Sequence, residues 1–541
     1  MVQTPSNPDV VVVGAGFAGL YMLHRLRDAG FTAMAFERAT GVGGTWYWNR
    51  YPGARCDVES MQYSYGFDEA MQQEWHWSER FAGQPEILRY ANWVADRLDL
   101  RRDIRFETSV TSAEWDEAAC LWTVRTDRGD KLRVRYLVMA TGCLSAARLP
   151  EIEGIADFRG NTYHTGQWPH EPVDFTGQRV AVIGTGSSGI QAIPVIAEQA
   201  AQLTVFQRTP NFSIPTHNQP MDTEYENLWK SDYSGRRERA RGMRTGILHD
   251  LNDKGALEVE EAERRAEYER RWERGGTAFM VAFNDLVTNA AANDTAAEFV
   301  RAKISATVRD PQLAELLAPK DHPIGTKRIC ADSGYYETFN RPNVALVDLR
   351  ATPIQRIVPE GVLLSDETLR PVDSIIYATG FDAMTGALTA INPRGVGGLP
   401  LTEVWAEGPK TYLGLCTVGF PNMFIITGPG SPSVLTNMIV SIEQHVDWIV
   451  DCMAWMRRHG AVRLEAEATA QERWMEHNNE VARRTLYPRA GSWYMGANVQ
   501  GKPRVFMPYI GGVAAYRQAC DNAAKDSYSG FLLQMDRAAA Q

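Results

Sequence analysis

Asp9-Val-Val-Val-Val-Gly14-Ala-Gly16-Phe-Ala-Gly19 is the stretch on which the fold turns. A β-branched run enters G-x-G-x-x-G, and behind it Leu20, Leu23 and Leu26 recur at helical spacing until Gly30. A second apolar run, Thr32 to Phe36, ends at Glu37. Strand, glycine turn, helix, strand and terminal acid together make the context that a dinucleotide-binding βαβ unit requires. Gly14 permits the tight turn, Gly16 lets a pyrophosphate approach the backbone, and Gly19 lets helix pack on strand. The free N–H groups at the helix start carry about half a positive charge toward the phosphates. Glu37 can accept from both hydroxyls of an adenosine ribose and repels a 2′-phosphate, so FAD or NAD suits this turn.

Asp174 to Gln207 repeats the arrangement. Arg179 to Ile183 reads as a strand, Gly184-Thr185-Gly186-Ser187-Ser188-Gly189 as the turn, and Leu203 to Phe206 as the second strand. Gln207, Arg208 and Thr209 stand where the acid stood before. Taken alone, Arg208 is an ordinary surface arginine; at this place a guanidinium can grip a 2′-phosphate in bidentate fashion. The pair of turns therefore reads as FAD first and NADPH second.

Two further stretches, Tyr136 to Gly142 (Y-L-V-M-A-T-G) and Ser374 to Phe381 (S-I-I-Y-A-T-G-F), read as buried strands with a glycine exit. They divide the chain into an α/β protein with two dinucleotide-binding, Rossmann-like domains. The first, for FAD, takes residues 1–145 and 389–541; the second, for NADPH, takes 146–221 and 326–388. Residues 222–325 are dense in alternating charge and read as a helical insertion that covers the active site. Within it, Glu258 to Arg274 reads as a solvated helix laced by i,i+4 pairs. A helix is expected over Pro85 to Leu98, with a strand meander after it, and another from Val434 to about Arg458.

The 541 residues carry a formal net charge of −10, with 44% hydrophobic and 23% charged residues, which argues against a nucleic-acid surface. Met1 to Pro8 is short and polar, and no apolar run reaches the roughly 18 residues of a membrane span. The seven cysteines are scattered and never spaced C-x-x-C, which fits a reducing cytoplasm and gives no metal or dithiol signature.

Two longer patterns complete the reading. Phe158 to Trp168, F-R-G-N-T-Y-H-T-G-Q-W, lies just before the second turn. Gly43-Gly44-Thr45-Trp46, followed by Tyr51-Pro52-Gly53-Ala54-Arg55-Cys56-Asp57, is on composition an aromatic loop; its place after the first βαβ unit suits wrapping a flavin. From Asp9 to about Gly530 the chain resembles Baeyer–Villiger monooxygenases of the phenylacetone and steroid type, since these stretches match both long fingerprints of that family. The resemblance implies FAD and NADPH as cofactors. It implies oxygen insertion beside a ketone carbonyl through a flavin C4a-peroxide, with Arg328 as the stabilising cation and Asp57 orienting it. It makes Gly44, Thr45, Trp46, Tyr47, Trp48, Tyr63, Val110 and Met438 flavin contacts, and Lys327, Arg208 and Thr209 the grip on the 2′-phosphate. Gln191 joins the second turn as a cofactor contact, Trp493 sits over the same cofactor on a mobile loop, and Ser433, Val434 and Leu435 line the ketone pocket. Cys143 departs from the polar residue expected after the first ATG, so pocket detail does not carry over. His164 is assigned a structural role between the domains.

The expected partners are O2 and an aryl, bulky cyclic or steroid ketone, with the protein a cytoplasmic monomer. Three rivals stand beside this reading: a sulfide or amine monooxygenase, a disulfide reductase (opposed by the missing C-x-x-C), and a silent NADPH-binding redox sensor.

Overall fold

The four valines Val10–Val13 form the central strand of a five-stranded parallel sheet, and all are buried. A strand covered on both faces reads as a continuous β-branched run, and each valine so buried contributes about 1.5–3 kcal/mol. Ala33–Phe36 and Tyr136–Met139 flank it, with Ile104–Arg105 and Met423–Ile425 at the edges. The computed structural model describes residues 7–536, so residues 1–6 of the polar start lie outside the described residues.

A second five-stranded parallel sheet repeats the arrangement, except that the edge strand beside the Ala-Thr-Gly strand comes first in the chain here and last in the first sheet. Arg179–Ile183 is central, Gln202–Gln207 and Ser374–Tyr377 flank it, and Val344–Asp348 and Asn161–His164 form the edges. In each sheet the strand leading into Ala-Thr-Gly pairs with the first strand, after a three-stranded antiparallel meander over residues 110–134 or 354–371. The equivalence reaches the turns. A Cβ on Gly14 (φ +106°) would lie 2.6 Å from the Ala140 carbonyl oxygen, and one on Gly184 (φ +111°) 2.5 Å from that of Ala378. Only glycine meets both the left-handed backbone and the close approach.

The chain crosses between the sheets twice, and the crossings run side by side. The Met384 N–H donates to the Cys143 carbonyl at 2.8 Å, the Asp382 N–H to Ala146 at 2.9 Å, and Ala147 bridges Phe381 antiparallel.

The longest helix among the described residues, Met438–His459, packs on Phe17–Asp28; Tyr21 Oη and Arg25 Nε donate to Asp447 Oδ1 across the contact at 2.8 and 2.7 Å. It starts four residues later than the sequence suggests. Ser433–Leu435 is a separate 3-10 turn with Ser433 at φ +42°, and Asn437 caps the helix by accepting from the Ile439 N–H at 3.1 Å.

The segment 222–325 is helical as expected, but it contributes no residue to the central cleft. Its apolar side chains are committed elsewhere. Trp229, Tyr233 and Ile247 join the core around the first sheet, while Tyr268, Phe279 and Val300 join that around the second. The charged helix begins at Glu261 rather than Glu258, and it is not wholly solvated: Arg271 is 1% exposed and pairs with Glu267 at 2.7 Å, while Arg270 pairs with the same acid at i,i+3.

Candidate active site

Both glycine turns open into one cleft of about 1350 Å³, lined among others by Gly14, Gly16, Gly184 and Gly186. A single small-ligand pocket is about 300–1,000 Å³, so the cleft has room for two dinucleotides. At the first turn Glu37 Oε2 accepts from the Ala15 N–H at 2.8 Å and Oε1 from the Ala39 N–H at 2.9 Å. These bonds hold the carboxylate at the strand end, each oxygen retains a further lone pair, and Glu37 lines the cleft. Thr45, Trp46, Trp48, Tyr63, Val110 and Met438 also line it, and Trp46 Nε1 donates to Tyr63 Oη at 3.1 Å. The residues present fit FAD at this end.

At the second turn Thr185 Oγ1 donates to the Thr209 carbonyl at 3.0 Å, drawing the strand end onto the turn. Ser187, Ser188, Arg208, Thr209 and Lys327 line the cleft here. Among the described residues neither Arg208 nor Lys327 has a carboxylate within ion-pair distance. Burial holds the Lys327 ammonium below the ordinary lysine range; Asp321 opposes this and Arg208 adds to it. Two cations without acid partners fit a phosphate monoester, the group that separates NADPH from NADH.

Between the turns stands a pair 271 residues apart in the sequence. Arg328 Nε and Nη2 donate to the two Asp57 carboxylate oxygens at 2.7 and 2.8 Å, and Nη1 donates to the Val434 carbonyl at 2.7 Å. The side chains are 26% and 22% exposed, and both face the cleft. Burial works against the guanidinium charge, but Asp57 outweighs it and holds Arg328 above its ordinary range. Tyr494, 1% exposed, lies beside the same cation; burial raises its hydroxyl against the pull of Arg328.

Several expected site residues do not line the cleft. Gly19 and Gly189 meet the backbone of Gly14 and Gly184 instead, where a Cβ would lie 1.9 and 2.3 Å from the carbonyl oxygens. Tyr47 turns its hydroxyl to Thr40 Oγ1 at 2.5 Å and its ring to His170. Ser433 is fully buried with Oγ 3.0 Å from Cys143 Sγ, and Leu435 packs in the neighbouring apolar cluster, so of that turn only Val434 reaches the cleft. Trp493 does reach it, in the turn Trp493–Met495.

His164 lies outside the cleft. Its Nδ1 accepts from the Gly166 N–H at 3.0 Å and its Nε2 sits 3.2 Å from the Arg148 carbonyl, so the ring is a neutral tautomer with its proton on Nε2. Burial lowers its pKa further, and the ring ties the second sheet's edge to the first crossing.

Gln191 lines the cleft, but its amide is engaged by the first unit. Oε1 accepts from Tyr51 Oη at 2.9 Å and from the Arg55 N–H at 3.3 Å, and Nε2 donates to the Arg55 carbonyl at 3.0 Å. Neither this contact nor Tyr494 has a signal in local sequence.

Two equivalent glycine turns over one cleft, with a held arginine between them, define a flavoprotein oxidoreductase that uses a second dinucleotide. Residues 8–232 match the family described as pyridine nucleotide-disulphide oxidoreductase. The chain is 42% identical over 527 residues to acetone monooxygenase (methyl acetate-forming) of Gordonia sp. (strain TY-5), covering 97% of this chain and 99% of that one. It is 41% identical over 538 residues to a Baeyer–Villiger monooxygenase of Pseudooceanicola batsensis, covering 97% and 96%. A solved structure of oxidized steroid monooxygenase bound to NADP is 54% identical, with a TM-score of 0.94 and 98% and 100% of the two chains covered. The chain belongs to the Baeyer–Villiger monooxygenases. All seven cysteines are free and buried. Among the described residues no helix is long and apolar enough to cross a membrane, and no His, Cys, Asp and Glu side chains group as metal ligands.

Proposed function

We propose that the protein uses NADPH and O2 to convert a ketone into its ester or lactone, with Arg328 as the cation at the reacting centre and Asp57 as the carboxylate that aims it. The observation that carries this reading is the three-point hold on Arg328, two bonds to Asp57 and one to Val434, facing the cleft between the glycine turns. Bound FAD, reduced by NADPH, supplies the electrons that split O2, so that ketone, NADPH, a proton and O2 give ester, NADP+ and water. Attack on a carbonyl builds negative charge on oxygen, and a guanidinium serves there because it keeps its proton at any working pH. At ~4 Å and an effective dielectric near 20, one such charge contributes about 4 kcal/mol. Asp57 shares that charge and fixes the direction of the fork, while Val434 and Trp493 wall the same space against water.

In this reading the first turn, Glu37, residues 44–48, Tyr63, Val110 and Met438 hold FAD. The second turn, Arg208, Thr209, Lys327 and Trp493 hold NADPH. The FAD unit is built from residues 1–145 and 389–541, and the NADPH unit from 146–221 and 326–388, with 222–325 inserted. Likeness to a steroid monooxygenase favours a bulky cyclic ketone, with acetone the small-substrate contrast. The enzyme works as a cytoplasmic monomer on dissolved substrate.

The test is mass spectrometry of products made under 18O2 with NADPH and a panel of aryl, cyclic and steroid ketones. One labelled oxygen in an ester or lactone supports the proposal. NADPH consumption that yields only peroxide across the panel refutes the ketone assignment, and labelled sulfoxide or N-oxide from a second panel puts heteroatom oxidation in its place.

A further inference from the structure

Gln191 lies within the first two turns of Ser187–Gln199, the helix whose start forms the second phosphate turn, yet all of its side-chain hydrogen bonds reach into residues 51–55 of the first unit. The amide suits that loop. Arg55 offers one N–H and one carbonyl, and Tyr51 offers a hydroxyl; of the uncharged side chains, a carboxamide can accept twice and donate once at this reach. A carboxylate lacks the donor, and an aliphatic side chain leaves all three groups unpaired in a site where Gln191 is 9% exposed. The backbones also meet closely. Gly53 has φ +79°, and a Cβ on it would lie 2.3 Å from the Gln191 carbonyl oxygen and 3.1 Å from Val195 Cγ2. The loop therefore lies flat on the helix, and two residues beyond Arg55 it delivers Asp57, which holds Arg328.

We propose that Gln191 and Tyr51 are positioning residues: they register the Asp57 loop against the second phosphate helix, so that seating the second dinucleotide fixes the carboxylate that aims Arg328. The inference rests on the reading of Asp57 and Arg328 given above. When the register is lost, Asp57 is mis-aimed, and the electrons of NADPH pass to O2 without a ketone: NADPH, a proton and O2 give NADP+ and hydrogen peroxide.

Two measurements on the FAD-loaded, full-length protein test this. The first is coupling, the ester formed per NADPH consumed, in Gln191→Ala, Gln191→Glu and Tyr51→Phe. Gln191→Ala is expected to lower it at least fivefold, with peroxide making up the difference. Gln191→Glu, which keeps the two accepted bonds, should fall between it and the unsubstituted enzyme, and Tyr51→Phe should lower coupling about twofold. In an Asp57→Ala background, Gln191→Ala should change coupling less than twofold, because its route of action is already gone; a general loss of stability would still lower it there. The second measurement is hydrogen–deuterium exchange over residues 51–57. NADP+ should slow exchange of these amides at least fivefold in the unsubstituted protein and less than twofold in Gln191→Ala. Exchange slowed equally in both, or coupling in Gln191→Ala within twofold of the unsubstituted enzyme, overturns the proposal. If Gln191→Ala fails to fold, Tyr51→Phe carries both arms, and unaltered coupling and protection in it are the overturning result. Ester from the unsubstituted enzyme checks the function separately: with no ester from any ketone that function fails, and the exchange arm still decides the register.

Discussion

Replacing Arg328 with alanine removes three hydrogen bonds, at 2.7, 2.8 and 2.7 Å, and leaves Asp57 facing the cleft without its cation. The cost in folding is modest, about 1–3 kcal/mol, because the pair keeps some access to solvent through the cleft. The cost in rate is larger. A charge worth about 4 kcal/mol, realised only as negative charge develops, corresponds to about a thousandfold in the ester-forming step. Arg328→Lys keeps the charge, but a single ammonium cannot span both Asp57 oxygens and the Val434 carbonyl. It should cost about 10- to 100-fold through lost aim. The assay is the initial rate of ester formation at saturating NADPH and ketone, alongside anaerobic reduction of the flavin by NADPH. The alanine variant should be reduced by NADPH and form almost no ester. Ester formation within tenfold of the unsubstituted enzyme would refute the role given to the guanidinium.

The equivalent glycines make a paired prediction. Gly14→Ala puts a Cβ against the Ala140 carbonyl and should yield protein lacking flavin absorbance, whereas Gly184→Ala, against Ala378, should retain FAD and raise KM for NADPH at least tenfold; the reverse pattern would exchange the two cofactor assignments. Lys327 loses its proton sooner than a free lysine as pH rises. KM for NADPH should therefore climb on the alkaline side while KM for NADH, which has no 2′-phosphate, stays level; a constant ratio of the two would count against Lys327 as a phosphate contact. His445 is fully buried, accepts from the Thr427 N–H at 2.8 Å, and is pushed down to about 3 by burial. An unfolded chain takes up that proton near pH 6.5, so the stability owed to the neutral ring is complete above that value and is lost as pH falls toward 3. At pH 5 the loss is about 2 kcal/mol. Urea denaturation at pH 7 and pH 5 should show a drop smaller by that amount in His445→Gln, and equal drops would exclude the ring as the source.

Much of the fold was legible because its constraints are local. Gly14 and Gly184 declare their turns through a backbone that only glycine adopts, and the valines beside them declare a buried strand. The start of the helix at Met438 was not, because Ser433 enters the left-handed region and the Asn437 cap is visible only once that turn is folded. The insertion was read from its charge, and charge says where a helix is solvated, not what its other face covers; Trp229, Tyr233 and Tyr268 point it into the cores. Within the site, Arg328 and Asp57 are 271 residues apart, so no local pattern joins them and only likeness to a family could. Tyr47, Ser433 and Leu435 sit on segments whose neighbours line the cleft but face away from it, since the direction of a side chain on a short irregular turn follows from tertiary packing. Gln191 was legible as part of the turn and illegible as a partner of Tyr51.

The order of strands has a consequence for how the protein is made. Every strand of the second parallel sheet lies between residues 161 and 377, whereas the first sheet begins with Val10–Val13 and is finished by Met423–Ile425. On a ribosome adding about 5–20 residues each second, the edge strand arrives roughly 15 to 60 seconds after Tyr136–Met139 has emerged. The inner unit can close during that interval, while the outer one waits with one side of its sheet bare and without its longest helix. The first nucleotide turn to be synthesised is thus the last to gain its full support, and for that interval the nascent chain presents an open β edge to its surroundings.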